Sequence, residues 1–278
     1  MKTATLPDGS AVPVMGQGTW MMAESRGSRD EEIAALRAGI DLGMTLVDTA
    51  EIYAHGRSEE LVGEAIAGRR DEVFLVSKVA PHHASRTGTR RACEASLKRL
   101  GTDRLDLYLL HWPGGVPLGE TVEALAALKQ DGLIRNWGVS NFDTEEMEEL
   151  FALPGGEDCA TNQILYNLEE RGPEFDLLPW MAERGVPAMA YSPVGQGGAL
   201  LDHPVLHRVA QHHRASPAQV ALAFLVDGDD VIAIPKAGSA THVRENAAAA
   251  DLVLGLNDRH ELDAAFPPPK EKRPLAVI

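Results

Sequence analysis

The sequence predicts an α/β fold: a closed (β/α)8 TIM barrel with an N-terminal β-hairpin and extra helices. Three observations carry this expectation. Eight short apolar runs of strand character recur along the 278 residues, with segments of helical spacing between them. No linker or shift of composition divides the series, so residues 1–278 read as a single domain, a length usual for such barrels. The polar residues of the strands collect at their C-terminal ends, the face on which barrels build their sites.

The elements follow in order. The segments ATLP and SAVPVMG flank Asp8-Gly9, the dipeptide of a tight hairpin turn. Strands are expected at 14–20, 46–50, 73–79, 105–113, 134–141, 159–167, 186–194 and 231–237. The first helix opens at Ser28 with a capping-box pattern that places Glu31 three residues on, and Ile33, Leu36 and Ile40 share its apolar face. The second opens at Ser58, with Leu61, Val62, Ala65 and Ile66 inward. A third runs from Thr89 to Leu100, and Gly101 stops it. Residues 118–132, 144–153, 175–185 and 240–251 supply four more. Two helical stretches, 203–213 and 217–228, precede the last strand; one is the crossover and the other an insertion. From Pro267 the chain reads as an extended surface segment. A doubly wound sheet is the rival fold, but Gly16-Gln17-Gly18-Thr19-Trp20-Met21 lacks the third glycine of its nucleotide fingerprint.

Composition excludes several classes of function. Acidic residues number 41 against 26 basic ones, a formal charge of −15 that disfavours nucleic acid and anionic lipid as partners. With 44% hydrophobic and 24% charged residues, the chain is not disordered as a whole. Cys93 and Cys159 have neither zinc spacing nor a disulfide framework. The adjacent pairs His82-His83 and His212-His213 do not have ligand spacing, so no metal site is expected. The polar N-terminus and the shortness of every apolar run argue against a signal peptide or membrane span, and the cytoplasm is the expected compartment.

The strand ends carry the chemistry. They read Asp48-Thr49, with Tyr53 close behind, then Ser77-Lys78, His111-Trp112, Ser140-Asn141, Asn162-Gln163, Tyr191-Ser192-Pro193 and Pro235-Lys236. Taken singly, Asp48 reads as a turn cap, Lys78 as a rim side chain and His111 as a core histidine. Together with Tyr53 they converge on one rim. A phenol titrates near pH 10, and a neighbouring ammonium is expected to lower that value. Asp48 would keep Lys78 charged, and His111 would donate a second hydrogen bond to the same substrate oxygen. The result is an oxyanion site with its own proton donor, suited to a carbonyl accepting hydride. No metal is expected to polarise that carbonyl, and the hydride must come from a cofactor. Ser140, Asn141 and Gln163 offer donors and acceptors to a nicotinamide amide, and Tyr191 offers a stacking face. Ser192 to Gly198, with Gly195, Gly197 and Gly198, offers open backbone to a pyrophosphate, and Lys236 and Ser239 precede a helix N-terminus.

These residues sit in motifs that resemble a known family. GQGTW (16–20), DTAEIY (48–53), SEELVGEAI (58–66), SKV (77–79), LDLYLLHWP (105–113), GVSNF (138–142), NQILYN (162–167), YSP (191–193), IPK (234–236) and REN (244–246) occur in the order found in the aldo-keto reductases. The resemblance runs from the opening hairpin to about Phe266. It implies a catalytic tetrad of Asp48, Tyr53, Lys78 and His111, with Tyr53 as proton donor. It implies cofactor contacts at Gly18, Thr19, Trp20, Asp48, Ser140, Asn141, Gln163, Tyr191, Ser192, Pro193, Gly195, Lys236, Ser239, His242 and Arg244, with Glu245 and Asn246 at the adenine. NADPH is favoured over NADH through Lys236 and Ser239. Ala237 and His242 stand where the family often has serine and arginine, and Arg244 is placed to substitute. Trp20, Tyr53, His111 and Trp112 would meet the substrate.

The loop at 114–120 and the tail at 267–278 are short, so an open, shallow site is expected, with His82 or His83 as further lining candidates. It suits small aldehydes and ketones: α-dicarbonyls such as methylglyoxal, and aromatic or sugar-derived carbonyls. The chain is most similar to short bacterial members that reduce methylglyoxal or diketogluconate. A monomer or weak homo-oligomer is expected. One alternative is a nicotinamide-binding, redox-sensing regulatory subunit with negligible turnover. Another is a barrel isomerase or lyase that uses Lys78 as a Schiff base, which requires an uncharged amine.

Overall fold

The computed structural model describes residues 1–24, 28–228 and 230–278. β1 (Thr3–Thr5) and β2 (Ala11–Pro13) form the expected hairpin, with Thr3 opposite Pro13 and Thr5 opposite Ala11. Gly9 turns the corner at φ +84°, and Asp8 accepts from the Ser10 backbone and hydroxyl at 2.8 Å. Asp8 also accepts from Asn136 Nδ2 at 2.8 Å, which fixes the hairpin to the barrel.

Eight parallel strands follow in chain order: β3 (Gln17–Gly18), β4 (Leu46–Asp48), β5 (Phe74–Val79), β6 (Leu105–Leu110), β7 (Ile134–Ser140), β8 (Cys159–Leu165), β9 (Ala188–Tyr191) and β10 (Val231–Ala233). The first strand is shorter than the predicted 14–20, because only Gln17 and Gly18 pair with β4. The residues before it close the ring instead. Met15 bridges to Ala233, Gly16 N–H donates to Ala233 O at 2.8 Å, and Gly18 N–H donates to Pro235 O at 3.1 Å. This approach explains the glycine of GQG. A Cβ on Gly18 would stand 2.7 Å from Ile234 O, so the motif is a closure device rather than a phosphate loop.

The helices among the described residues are α1 (Arg29–Asp41), α2 (Arg57–Ile66), α3 (Arg86–Leu100), α4 (Leu118–Gln130), α5 (Thr144–Phe151), α6 (Leu177–Ala182), α7 (Pro204–His213), α8 (Pro217–Leu225), α9 (Ala240–Ala249) and α10 (Leu256–Ala265). Four expectations need correction. The capping box at Ser28 does not form: Ser28 caps without a side-chain bond, and Glu32, not Glu31, turns inward to accept from Ala23 N at 2.9 Å. Ser58 does not open α2 but lies within its first turn, buried, with its hydroxyl on Thr19 Oγ1 at 2.9 Å. α3 starts at Arg86, where Ser85 Oγ accepts from Gly88 N; its polar first turn carries no apolar signal. α10 escaped the periodicity reading because Leu262 is its single buried residue.

α8 packs on α9 and β10 and is therefore the crossover, whereas α7 packs on α8 and α10 and is the insertion. The segment after Phe266 is an extended surface segment, as expected, but it is anchored. Lys272 pairs with Glu145 at 2.9 Å and with Asp176 at 3.6 Å, Leu275 packs against the core, and Ile278 reaches the barrel mouth. Among the described residues no helix is long and apolar enough to cross a membrane, and no cluster of His, Cys, Asp or Glu could hold a metal ion.

Candidate active site

The strands deliver their polar ends to one cleft of about 660 Å³ at the C-terminal face of the barrel. Its centre is Lys78, near the end of β5 and fully buried. A lone ammonium there would cost several kcal/mol. Lys78 Nζ instead donates to Asp48 Oδ2 at 2.7 Å, Thr49 O at 2.9 Å and Tyr53 Oη at 3.2 Å. An ammonium has three protons, so these partners saturate it. Burial works against the charge, but Asp48 and Tyr53 together outweigh burial and hold the Lys78 pKa above its ordinary value. The amine stays charged, which disfavours a Schiff-base role.

Asp48 is held from both sides. Its second oxygen accepts from Gln163 Nε2 at 2.8 Å, across the barrel from β8. A layer of hydroxyls lies beneath: Thr19 Oγ1 donates to Asp48 O at 2.9 Å, and Ser58 and Thr49 complete the chain. Thr19 is therefore fully buried and its side chain does not line the cleft.

Tyr53 stands in a 3-10 turn (Tyr53–Gly56) just past β4. Because its oxygen accepts from Lys78, the phenolic proton is free to point into the cleft. The expected lowering of its pKa is overturned. Burial raises the Tyr53 pKa, Lys78 lowers it, Asp48 raises it again, and the net direction is upward. Desolvation of a phenolate inside the barrel outweighs one paired cation.

His111 lies edge-on to Tyr53, with ring centroids 5.6 Å apart, and tilts against Trp112. Its Nδ1 is buried without a hydrogen-bond partner. An orphaned lone pair is less costly there than an orphaned N–H, which places the proton on Nε2. Burial and the nearby Lys78 push the His111 pKa down to about 2, so the ring is neutral.

A second network crosses the other half of the cleft. Asn141, at φ +62°, receives the Tyr191 hydroxyl at 2.8 Å and donates to His111 O at 3.1 Å. Ser140 Oγ donates to Gln163 O at 2.8 Å. Ser192 is also left-handed, at φ +46°, and left-handed non-glycine residues gather at functional sites. Gly18, Trp20, Pro193 and Lys236 line the same cleft; Gln196 and Gly197 do so in place of Gly195. Ser239 caps α9 through His242 N–H, and His242, Arg244, Glu245 and Asn246 lie further along that helix, outside the cleft.

Two lining expectations fail. Neither His82 nor His83 reaches the cleft; His83 Nδ1 instead sits 3.0 Å from Glu51 Oε1. The mouth is not fully open, because Ile278 lines it. The signal for this was the apolar ending Leu275-Ala276-Val277-Ile278 after a charged stretch. Met21, Ile52, Val194 and Ile234 complete the apolar lining that the motifs did not reveal.

The aldo/keto reductase family matches residues 14–266. The methylglyoxal reductase YeaE of Escherichia coli is 51% identical over 96% of both chains. The methylglyoxal reductase DkgB of Salmonella typhimurium is 33% identical, covering 91% of this chain and 92% of its own. A crystal structure of an aldo/keto reductase from Klebsiella pneumoniae in complex with NADP and acetate superposes over the whole of both chains, with a TM-score of 0.97 and 50% identity. The chain belongs to the aldo/keto reductase family.

Proposed function

We propose that this protein reduces small aldehydes and ketones to alcohols with NADPH, and that Tyr53 supplies the proton. One observation carries the reading: Lys78 spends all three of its protons on Asp48, Thr49 and Tyr53, leaving the Tyr53 proton for the cleft. When bound, NADPH supplies hydride to the carbonyl carbon. The residues present fit that cofactor. Gln163 turns its amide N–H to Asp48, which leaves its carbonyl oxygen available to a carboxamide. Asn141 and Ser140 stand alongside, and Tyr191 offers its ring. Lys236 lines the cleft near the start of α9, where a phosphate would meet both a cation and helix N–H groups.

The chain's own residues then do the rest. His111 Nε2–H and the Tyr53 hydroxyl hold the substrate oxygen. As negative charge develops there, Tyr53 gives up its proton and Lys78 stabilises the phenolate left behind. Trp20, Trp112 and Ile278 wall the substrate end. The two methylglyoxal reductases among its relatives support small α-dicarbonyls as the substrate class. The saturated Lys78 and the free Tyr53 proton favour turnover over a purely sensing role, and the reading includes a cytoplasmic enzyme that acts without a metal.

The experiment is loss of NADPH absorbance with methylglyoxal and 4-nitrobenzaldehyde as acceptors. Carbonyl-dependent oxidation of NADPH is expected with both. No oxidation across a broad carbonyl panel, with NADPH still bound tightly, would shift the assignment to the sensor.

A further inference from the structure

The loop that carries Tyr53 also carries a carboxylate that the reaction does not use. Glu51 lies between Asp48 and Tyr53, and its side chain is only 9% exposed. Its Oε1 accepts from the Ala80 backbone N–H at 2.7 Å, and His83 Nδ1 lies 3.0 Å from the same oxygen. Ala80 is two residues beyond Lys78, immediately past the end of β5. Glu51 therefore joins the loop that presents the phenol to the strand end that presents the ammonium.

The loop needs such a tie. Ala54 and His55, directly after Tyr53, are both left-handed, at φ +48° and +57°. Such residues are strained and persist only where their surroundings hold them. On the far side Arg57 Nε donates to Ala54 O at 3.0 Å. On the near side the side-chain tie is Glu51, through a short, shielded, charge-assisted bond of the strong kind.

We propose that Glu51 is a positioning residue for the reductase chemistry assigned above: clamped on Ala80 N–H, it sets the Tyr53–Lys78 approach of 3.2 Å. It touches neither substrate nor cofactor. Its removal acts through the placement of Tyr53, and misplacement by about 1 Å costs up to a hundredfold in rate. The proposal rests on the reductase reading, and the test separates the two.

Four variants are compared under saturating NADPH, with NADPH affinity measured separately by fluorescence quenching. Glu51→Ala is expected to lower kcat by about tenfold to a hundredfold, with KM and NADPH affinity within about twofold of the parent. Glu51→Gln keeps an oxygen acceptor for Ala80 N–H and should restore kcat to within about threefold. Ala80→Pro attacks the bond from the other side. Ala80 sits at φ −68°, which proline adopts, and the change deletes the N–H and puts a ring carbon where the Glu51 oxygen lies, displacing that carboxylate without mutating it. Its kcat should fall like that of Glu51→Ala, whether or not the alanine variant folds well. His83→Ala leaves the Ala80 bond intact and should stay near the parent. Parental kcat in Glu51→Ala or Ala80→Pro, or failure of Glu51→Gln to exceed Glu51→Ala, overturns the proposal. A parent enzyme that reduces no carbonyl overturns the reductase reading instead.

Discussion

The Tyr53 proton sits between two opposed fields. Burial in the barrel raises its pKa, Lys78 draws it down, Asp48 raises it again, and the net shift is upward. For reduction the protonated phenol is the active form, so activity persists through neutral pH and is lost as pH rises past the Tyr53 pKa. His111 cannot add a limb near neutrality, because its pKa is depressed to about 2. We therefore expect kcat/KM for aldehyde reduction to be flat within about threefold from pH 5 to 9, falling only above roughly pH 10. A limb with an apparent pKa near 7 would contradict both assignments. The strand-end pattern pointed to one shared rim, where the structure does bring Tyr53 and His111 together, but to the wrong direction for the Tyr53 pKa, because burial is not written in a motif. The cation beside the phenol was legible; the cost of desolvating a phenolate was not.

The polar groups of the cleft come from the strands of the barrel and the residues just past them. β4, β5, β6, β7, β8 and β9 were legible because each is a largely apolar run that carries or adjoins polar residues. α3 and α10 were less so, since a polar first turn and a single buried leucine leave little periodicity to read. The reach of the extended tail to the cleft was not legible for a different reason. Its anchor, Lys272 on Glu145 and Asp176, is a long-range pairing that no local pattern displays. At α9 the cofactor choice comes to a test. Lys236 lines the cleft, and its Nζ lies over Gly238 near the helix start. Lys236→Ala should weaken NADPH binding by about tenfold or more while changing NADH binding less than about threefold. Titration of both dinucleotides decides it, and equal losses would mean that Lys236 does not meet the 2′-phosphate.

The whole molecule holds the site by closing on itself. The seam between the first and last strands depends on backbone contacts that leave no room for a side chain at Gly18. Gly18→Ala would push a methyl group against Ile234 O and should destabilise the protein by about 1–3 kcal/mol, read as a lower Tm. An unchanged Tm would show that the seam can widen without cost. The same seam brings Lys236 to the cleft that holds Asp48, so closure and cofactor site share one geometry.

The central claim is that one phenolic proton, freed by a saturated lysine, completes the reduction. Tyr53→Phe removes that hydroxyl and leaves the ring. Turnover of methylglyoxal by this variant, measured beside its NADPH dissociation constant, is expected to fall by at least about a hundredfold with cofactor affinity within about twofold of the parent. Turnover retained near the parental rate would show that the proton comes from elsewhere and would contradict the account.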